Sequence, residues 1–428
     1  MRTRLPSPTF FSIAMMTGAL IASFGCARAA APSNDTRVLQ NESGSADGDV
    51  ALPAGALFMP EKMTKVLPML KSFLKAPLLA APPVKPSQDA AVYKPMTEAA
   101  LHGFEKIRVK LFPIESNHQF DPYLNSVGTR LVKLQNPGGL LVKGLAHVGT
   151  LKGEAVSFDF KSQIVQIDEK AYVLNSEDEI SLAPVSARVP TSLLLRVDIN
   201  RLRRAGVIGK DGRLAFSGTF VVAQGRRDRW TVINETSLED YVTSVVPSEM
   251  PLSYSDRALK VQALAARTFA VRSMMVARCV GRTRCASRDW DVDPSVSYQS
   301  FTGVLSERSR VREIVDSTRG AVITYRHTPI LAMFHASSGG RTKSADQYFC
   351  TSRGKSAKER ERCRATNATE YPYLKAVVDS FNDGEDRLGH GVGLSQHSVE
   401  IMSQKNQSIT SIVSLFYPGT IIENLPPQ

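Results

Sequence analysis

The 428-residue sequence predicts an α+β fold, in which a mixed sheet-and-helix domain follows a smaller α/β or β-rich N-terminal region. Three observations predict it. Residues 237 to 278 carry two helix signatures back to back. Segments 142–156, 164–174, 193–199 and 212–234 hold β-branched residues in partial alternation, which is the strand pattern. Helix and strand signals then mix to the end of the chain: helix at Val311–Thr318, strands at 320–327 and 329–335, helices at Val399–Lys405 and Ile409–Phe416, and a last strand after the turn Tyr417-Pro-Gly-Thr420.

The first helix starts at Ser237, whose hydroxyl can cap free N–H groups while Asp240 sits three residues on. Pro247 is expected to end it, which puts Glu249 in a short connection pinned by Pro247 and Pro251. The second helix runs from near Ser255 to about Arg278. Leu259, Gln262, Ala263, Ala266 and Ala270 share one face of it, and three alanines there let another backbone come close. Gln262 on that apolar stripe needs a hydrogen-bond partner. Arg267 lies at the border of the face. A carboxylate beside an amide and a guanidinium fits either a site or an internal structural network, and a lone Glu249 also fits a solvated loop carboxylate.

At the N-terminus, Arg2 and Arg4 precede an apolar run from Phe10 to about Phe24, then Ala27-Arg28-Ala29. This is the pattern of a secretory signal peptide over residues 1–29, too short for a confident membrane span. Cys26 keeps lipid attachment open as an alternative. The formal charge is +12, and +9 without Arg2, Arg4 and Arg28. A basic exported chain suits an anionic wall polymer or acidic lipid, and export argues against nucleic acid. Cys279, Cys285, Cys350 and Cys363 remain. In an oxidising compartment the local pairs Cys279–Cys285 and Cys350–Cys363 fit disulfides, and zinc at Cys279 and Cys285 with two histidines is the other reading.

Residues 30–100 are rich in Ala, Pro, Ser, Asn and Asp and read as linker, with a weak helix at Met63–Leu74 interrupted by Pro68. Residues 101–190 form the accessory α+β region, with Phe120–Gln135 reading as helix; residues 191–425 form the main domain. Within it, Tyr298 and Phe301 fit either core or groove. The strand ending at His335 enters Ala336-Ser337-Ser338-Gly339-Gly340, where hydroxyls and N–H groups could meet a ligand. Residues 351–370, with Arg353, Lys355, Lys358, Arg360, Arg362 and Arg364, read as a solvated loop. His390, Gly391, Ser395 and Gln396 belong to a glycine-rich block.

Four ordered blocks carry a resemblance. They are Glu239-Asp-Tyr-Val with Val-Val-Pro-Ser-Glu249-Met-Pro and Val261-Gln-Ala-Leu-Ala-Ala-Arg-Thr-Phe; Tyr298-Gln-Ser-Phe-Thr-Gly; Phe334-His-Ala-Ser-Ser-Gly-Gly-Arg-Thr; and Gly389-His-Gly-Val-Gly-Leu-Ser-Gln-His. Over about residues 190–425 the chain resembles the SpoIID/LytB family, the stage II sporulation protein D type of peptidoglycan lytic transglycosylase. It departs from the plain pattern at His397-Ser398 and in the Cys- and Arg-rich loops. The resemblance implies cleavage of the MurNAc–GlcNAc bond with no cofactor and no metal. Glu249 would act as acid and then base, giving 1,6-anhydro ends. It implies substrate contacts from Gln262, Arg267, Tyr298, His335, Ser337, Ser338, Gly339, Gly340, His390, Gly391, Ser395 and Gln396, with Arg267 binding substrate or holding the loop. Partners would be peptidoglycan glycan strands and a wall amidase or division and wall-assembly proteins. A non-catalytic wall-binding protein or amidase modifier is the alternative from another class; a zinc amidase on His335, His390 and His397 is a third.

Overall fold

The computed structural model describes residues 103–113, 131–195, 214–225, 229–280, 289–294, 298–303, 309–351 and 356–425. The leader, the 30–100 linker with its Met63–Leu74 helix, most of the expected Phe120–Gln135 helix, Cys285, Arg353 and Lys355 lie outside them. The fold is α+β with mixed helices and antiparallel sheets.

Ten strands form one antiparallel sheet: β1 (Lys106–Pro113), β2 (Leu131–Lys143), β3 (Leu151–Asp159), β4 (Ile164–Ile167), β5 (Lys170–Val173), β6 (Glu179–Pro184), β7 (Thr191–Leu195), β8 (Leu214–Phe216), β9 (Thr219–Gly225) and β10 (Arg229–Ser237). Their order is β1-β10-β9-β6-β2-β3-β4-β5, with β7 on β2 and β8 on β7. The described end of the expected Phe120–Gln135 helix, Leu131–Gln135, is instead the start of β2. That strand shifts register between Gln135 and Leu140, so its first half pairs with β7 and its second with β6. Asn136 fixes the irregularity by donating to Val189 O and Thr191 Oγ1 while accepting from the Gly138 N–H. The sheet runs across position 190/191 without a break, so the expected domain boundary falls inside it, between β6 and β7.

The last strand feeds the helices directly. Ser237 ends β10 and caps α1 (Leu238–Glu249), its Oγ accepting from the Asp240 N–H at 3.0 Å. Pro247 does not end this helix: it lies inside it, and the ladder still closes with Met250 N–H on Val246 O. The stop comes from Pro251, which holds Met250 extended at φ −130°, ψ 138°. Glu249 is therefore the last residue of a helix, not part of a loop.

Helix α2 (Asp256–Ala277) has its N-cap at Ser255 and its C-cap at Arg278. It spans about 33 Å and is buried on nearly all sides from Ala258 to Met275, far beyond the one predicted stripe. Around it lie α3 (Ser309–Asp316), a three-stranded sheet in the order β12 (Thr328–Pro329)–β11 (Ala321–Tyr325)–β15 (Ile421–Asn424), and the parallel pair β13 (Phe334–His335) with β14 (Leu394–Ser395). Helices α4 (Ala345–Phe349), α5 (Ala357–Glu370), α6 (Gln396–Gln404) and α7 (Ile409–Phe416) complete the described elements.

The expected solvated loop at 351–370 is largely α5. Ser356 and Glu359 form a full capping box, and the Ala, Arg, Lys and Glu that follow are good helix formers. A Cys350–Cys363 disulfide ties α5 to the end of α4. Cys279 is also disulfide-bonded.

Candidate functional site

The site is built at the C-terminal end of α1. Glu249 is half-buried, and its Oε1 accepts the Ser300 N–H at 2.5 Å. Desolvation raises its carboxyl above the ordinary carboxylate range, and the Ser300 N–H partly opposes that rise.

Loop 298–303 is stapled along α1 so that this N–H cannot wander. Tyr241 Oη donates to Gln299 Oε1 at 3.2 Å, Ser244 Oγ donates to Gly303 O at 2.7 Å, and Ser248 Oγ meets Thr302 Oγ1 at 2.9 Å. Phe301 stacks on Tyr241 with centroids 5.2 Å apart and is core, whereas Tyr298 stays half-buried in a T-shaped contact with Trp290. Burial raises the Tyr241 phenol, with Glu249, Asp293 and Tyr298 adding to the rise.

Gln396 joins the α6 side to Glu249. Its Nε2 donates to the Glu249 carbonyl at 3.1 Å and to Gln262 Oε1 at 3.3 Å. This is the partner that Gln262 required, although the Gln262 Nε2 is buried without an acceptor, as is that of Gln299.

The preceding residue, Ser395, pairs with His335 across β13 and β14. The His335 and His390 rings lie 5.6 Å apart, and Tyr348 packs 5.5 Å from His390. Burial, then the His390 neighbour, lowers His335 to about 3; burial lowers His390 to about 4. Both imidazoles are thus neutral at pH 7. His335 Nδ1 donates to Val392 O at 3.2 Å, which leaves Nε2 as a buried acceptor without a partner. The Val392 N–H donates to His390 Nδ1 at 3.0 Å.

Other expected contacts serve the interior. Arg267 is fully buried. Its Nε and Nη2 form a two-pronged pair with Glu239 at 3.0 and 2.7 Å, Nη2 also donates to Val315 O, and Nη1 donates to Thr318 Oγ1 and Ala321 O. A substrate-binding Arg267 does not fit this burial: its donors are spent inside the core, on Glu239 and on the 315–321 turn. Ser338 donates to Asp379 Oδ2, Ser337 lies 2.7 Å from Asn382 Oδ1, and Ser395 meets Ser398; all three are buried. The Ser337 and Ser338 hydroxyls hold the 379–388 segment, and Ser395 reaches it through Ser398, whose hydroxyl donates to Asp379 Oδ2. Gly339 N–H donates to Asn382 Oδ1, Gly340 O accepts the Asp379 N–H, and Gly391 O accepts the Lys343 N–H. Among the described residues no group of three His, Cys, Asp or Glu converges as metal ligands.

Sequence reasoning missed Ser300, Gln299, Tyr241 and Glu239. A backbone donor such as Ser300 N–H leaves no side-chain signature, but Glu239 and Arg267 both stood in the quoted blocks.

Residues 226–325 match the family described as SpoIID, Stage II sporulation protein. Stage II sporulation protein D of Bacillus amyloliquefaciens is 26% identical over 259 residues, covering 44% of this chain and 75% of that relative. Stage II sporulation protein D of Bacillus subtilis is 25% identical over 263 residues, with the same coverage of 44% and 75%. An amidase enhancer of Bacillus subtilis is 32% identical over 108 residues, covering 25% of this chain and 13% of the relative.

Proposed function

We propose that this chain, which belongs to the SpoIID family through residues 226–325, is an exported peptidoglycan lytic transglycosylase with Glu249 as its single acid and base. Family membership supports a cell-wall related function. The observation that carries the finer reading is the half-buried Glu249 carboxyl, raised by desolvation yet fixed by the Ser300 N–H at the C-terminal end of α1.

A carboxylic acid that stays protonated nearer neutrality can donate to the glycosidic oxygen as the C–O bond breaks. The carboxylate so formed takes the proton of the muramyl C6 hydroxyl, whose oxygen closes on C1. The acid is regenerated and no water is consumed. Gln396 and Gln262 hold the helix end from behind, and the Ser300 N–H steadies the carboxylate between the two proton transfers. The leader expected at residues 1–29 would deliver the chain to the periplasm or wall compartment.

Glu249→Gln tests this on purified glycan strands. Loss of cleavage with retained folding supports the reading; cleavage at the wild-type rate overturns it. The amidase-enhancer relative favours a second reading, a non-catalytic wall-binding or amidase-activating protein. That reading predicts sedimentation with wall material, no cut glycan, and indifference to Glu249→Gln.

A further inference from the structure

We propose that Trp290, Tyr298 and Lys110 form a sugar-binding subsite beside Glu249 that takes a carboxylate-bearing pyranose. The inference rests on the glycan reading above and extends it from Tyr298 to Trp290 and Lys110, which that reading does not use.

The chain has two tryptophans. Trp230 is buried in the sheet, 5.5 Å from the Phe160 ring. Trp290 is half-buried, with the Tyr298 ring nearly perpendicular to it at 6.2 Å and the Lys110 ammonium over one face, 4.3 Å from the ring centre. An indole and a phenol with part of their surface in water gain by covering it, and the C–H face of a pyranose is a flat apolar surface suited to that. The Lys110 ammonium covers one face of the indole, so a sugar would use the remaining surface, and its charge adds an attraction for a carboxylate there.

The place of this ledge is set by the loop that holds Glu249. Tyr298 lies two residues before Ser300, a span of at most about 7 Å. Tyr298 and Asp293 act on the same Tyr241 phenol as Glu249 does. A strand of glycan with its scissile bond at Glu249 would reach the ledge with a neighbouring sugar.

The ledge is also rigid. Segment 291–292 is hydrogen-bonded alongside β1: Lys110 N–H donates to Val292 O at 2.9 Å, Asp291 N–H donates to Arg108 O at 2.8 Å, and Arg108 N–H donates to Asp291 Oδ2 at 2.8 Å. Arg278, the C-cap of α2, grips Asp291 through Nε at 2.9 Å and Nη2 at 2.6 Å. A binding group carried on paired strands is held more tightly than one on a loop. Lys110 comes from β1, outside the family match at residues 226–325. The N-terminal sheet thereby contributes a charged group to this ledge as well as supporting α1.

The test uses the full chain carrying Glu249→Gln, which stops turnover, and Trp230→Phe, which leaves Trp290 as the reporter. Its emission is followed against three probes: N-acetylchitotetraose, a muramyl-containing tetrasaccharide without peptide, and the same strand with peptide. All three are expected to change the emission. The carboxylate-bearing probes should bind several-fold tighter than the neutral one, with that advantage shrinking in salt and lost in Lys110→Gln. An advantage already present without peptide assigns the carboxylate to the sugar, as proposed; one that appears only with the peptide assigns it to the peptide and overturns the pyranose assignment. Trp290→Leu, read by calorimetry, should weaken binding about tenfold, while Trp290→Phe keeps most of it. Unchanged emission with every probe, or unaltered affinity in a natively folded Trp290→Leu chain, overturns the proposal. Cleavage by the wild-type chain is a separate readout, so failure of the subsite and failure of the transglycosylase reading remain distinguishable.

Discussion

Replacing Arg267 by Met should be among the most damaging single changes in the chain. Arg267 and Glu239 are both buried, and the pair closes at 2.7 and 3.0 Å. Methionine fills much of the same volume, so the cavity effect is small and the charge effect dominates. The substitution leaves the Glu239 carboxylate with the Gly320 N–H at 3.2 Å and takes a donor from the Ala321 carbonyl, while Val315 O keeps the Thr318 N–H and hydroxyl. Removing one partner of a buried pair costs about 3–5 kcal/mol. In thermal unfolding this corresponds to a fall of roughly 10 °C for a domain of this size. Urea unfolding followed by circular dichroism measures it directly. The double variant Arg267→Met with Glu239→Leu removes both charges and should recover at least half of the loss. A single-variant loss under about 1 kcal/mol, or a double variant as unstable as the two singles added, would refute the reasoning.

Three further outcomes are expected. His335 and His390 sit at about 3 and 4, below the free imidazole value, so the unfolded chain binds more protons below pH 6.5. Their contribution is full above that pH and is lost as pH falls; at pH 5 each histidine costs about 2 kcal/mol of stability, and His335→Gln should remove about half of that slope in pH-dependent urea unfolding. Opening the Cys350–Cys363 disulfide with paired serines releases a separation of 13 residues and should cost about 2–3 kcal/mol, read by calorimetry with and without reductant. Gly393→Ala puts a Cβ 2.1 Å from Met333 O at φ +72°, and Met333 O already accepts the Tyr417 hydroxyl and the Leu394 N–H. A loss of more than about 3 kcal/mol is expected in the melting curve.

Local signals read well where one physical cause acts alone. The Ser237 cap, the helix from Ser255 to Arg278, the Ile409–Phe416 helix and the Cys350–Cys363 pair all stand where the sequence puts them. Pro247 misled because a proline in the last turn of a helix removes one N–H without preventing the next bond, whereas Pro251 constrains the residue before it. The α5 helix hides behind a run of Arg and Lys that suits a solvated loop equally well, and its local start signal is the Ser356–Glu359 capping box. Strand pairing across residues 106–237 is a long-range property, so neither the ten-stranded sheet nor its continuity past residue 190 could be read locally. At the candidate site, Glu249, Gln262 and Gln396 were legible as residues, and their contact through Gln396 Nε2 was not. The Ser300 N–H is a backbone group and carries no residue signature. Arg267 shows the converse, a motif residue whose chemistry is entirely structural.

The central claim is that Glu249 alone supplies and then recovers the proton. Mass analysis of the sugars released from purified glycan strands tests it most directly. The account predicts ends lighter by one water than a reducing end, formed by the wild-type chain and absent with Glu249→Gln. Reducing ends from the wild-type chain, or anhydro ends from the glutamine variant at an undiminished rate, would contradict it.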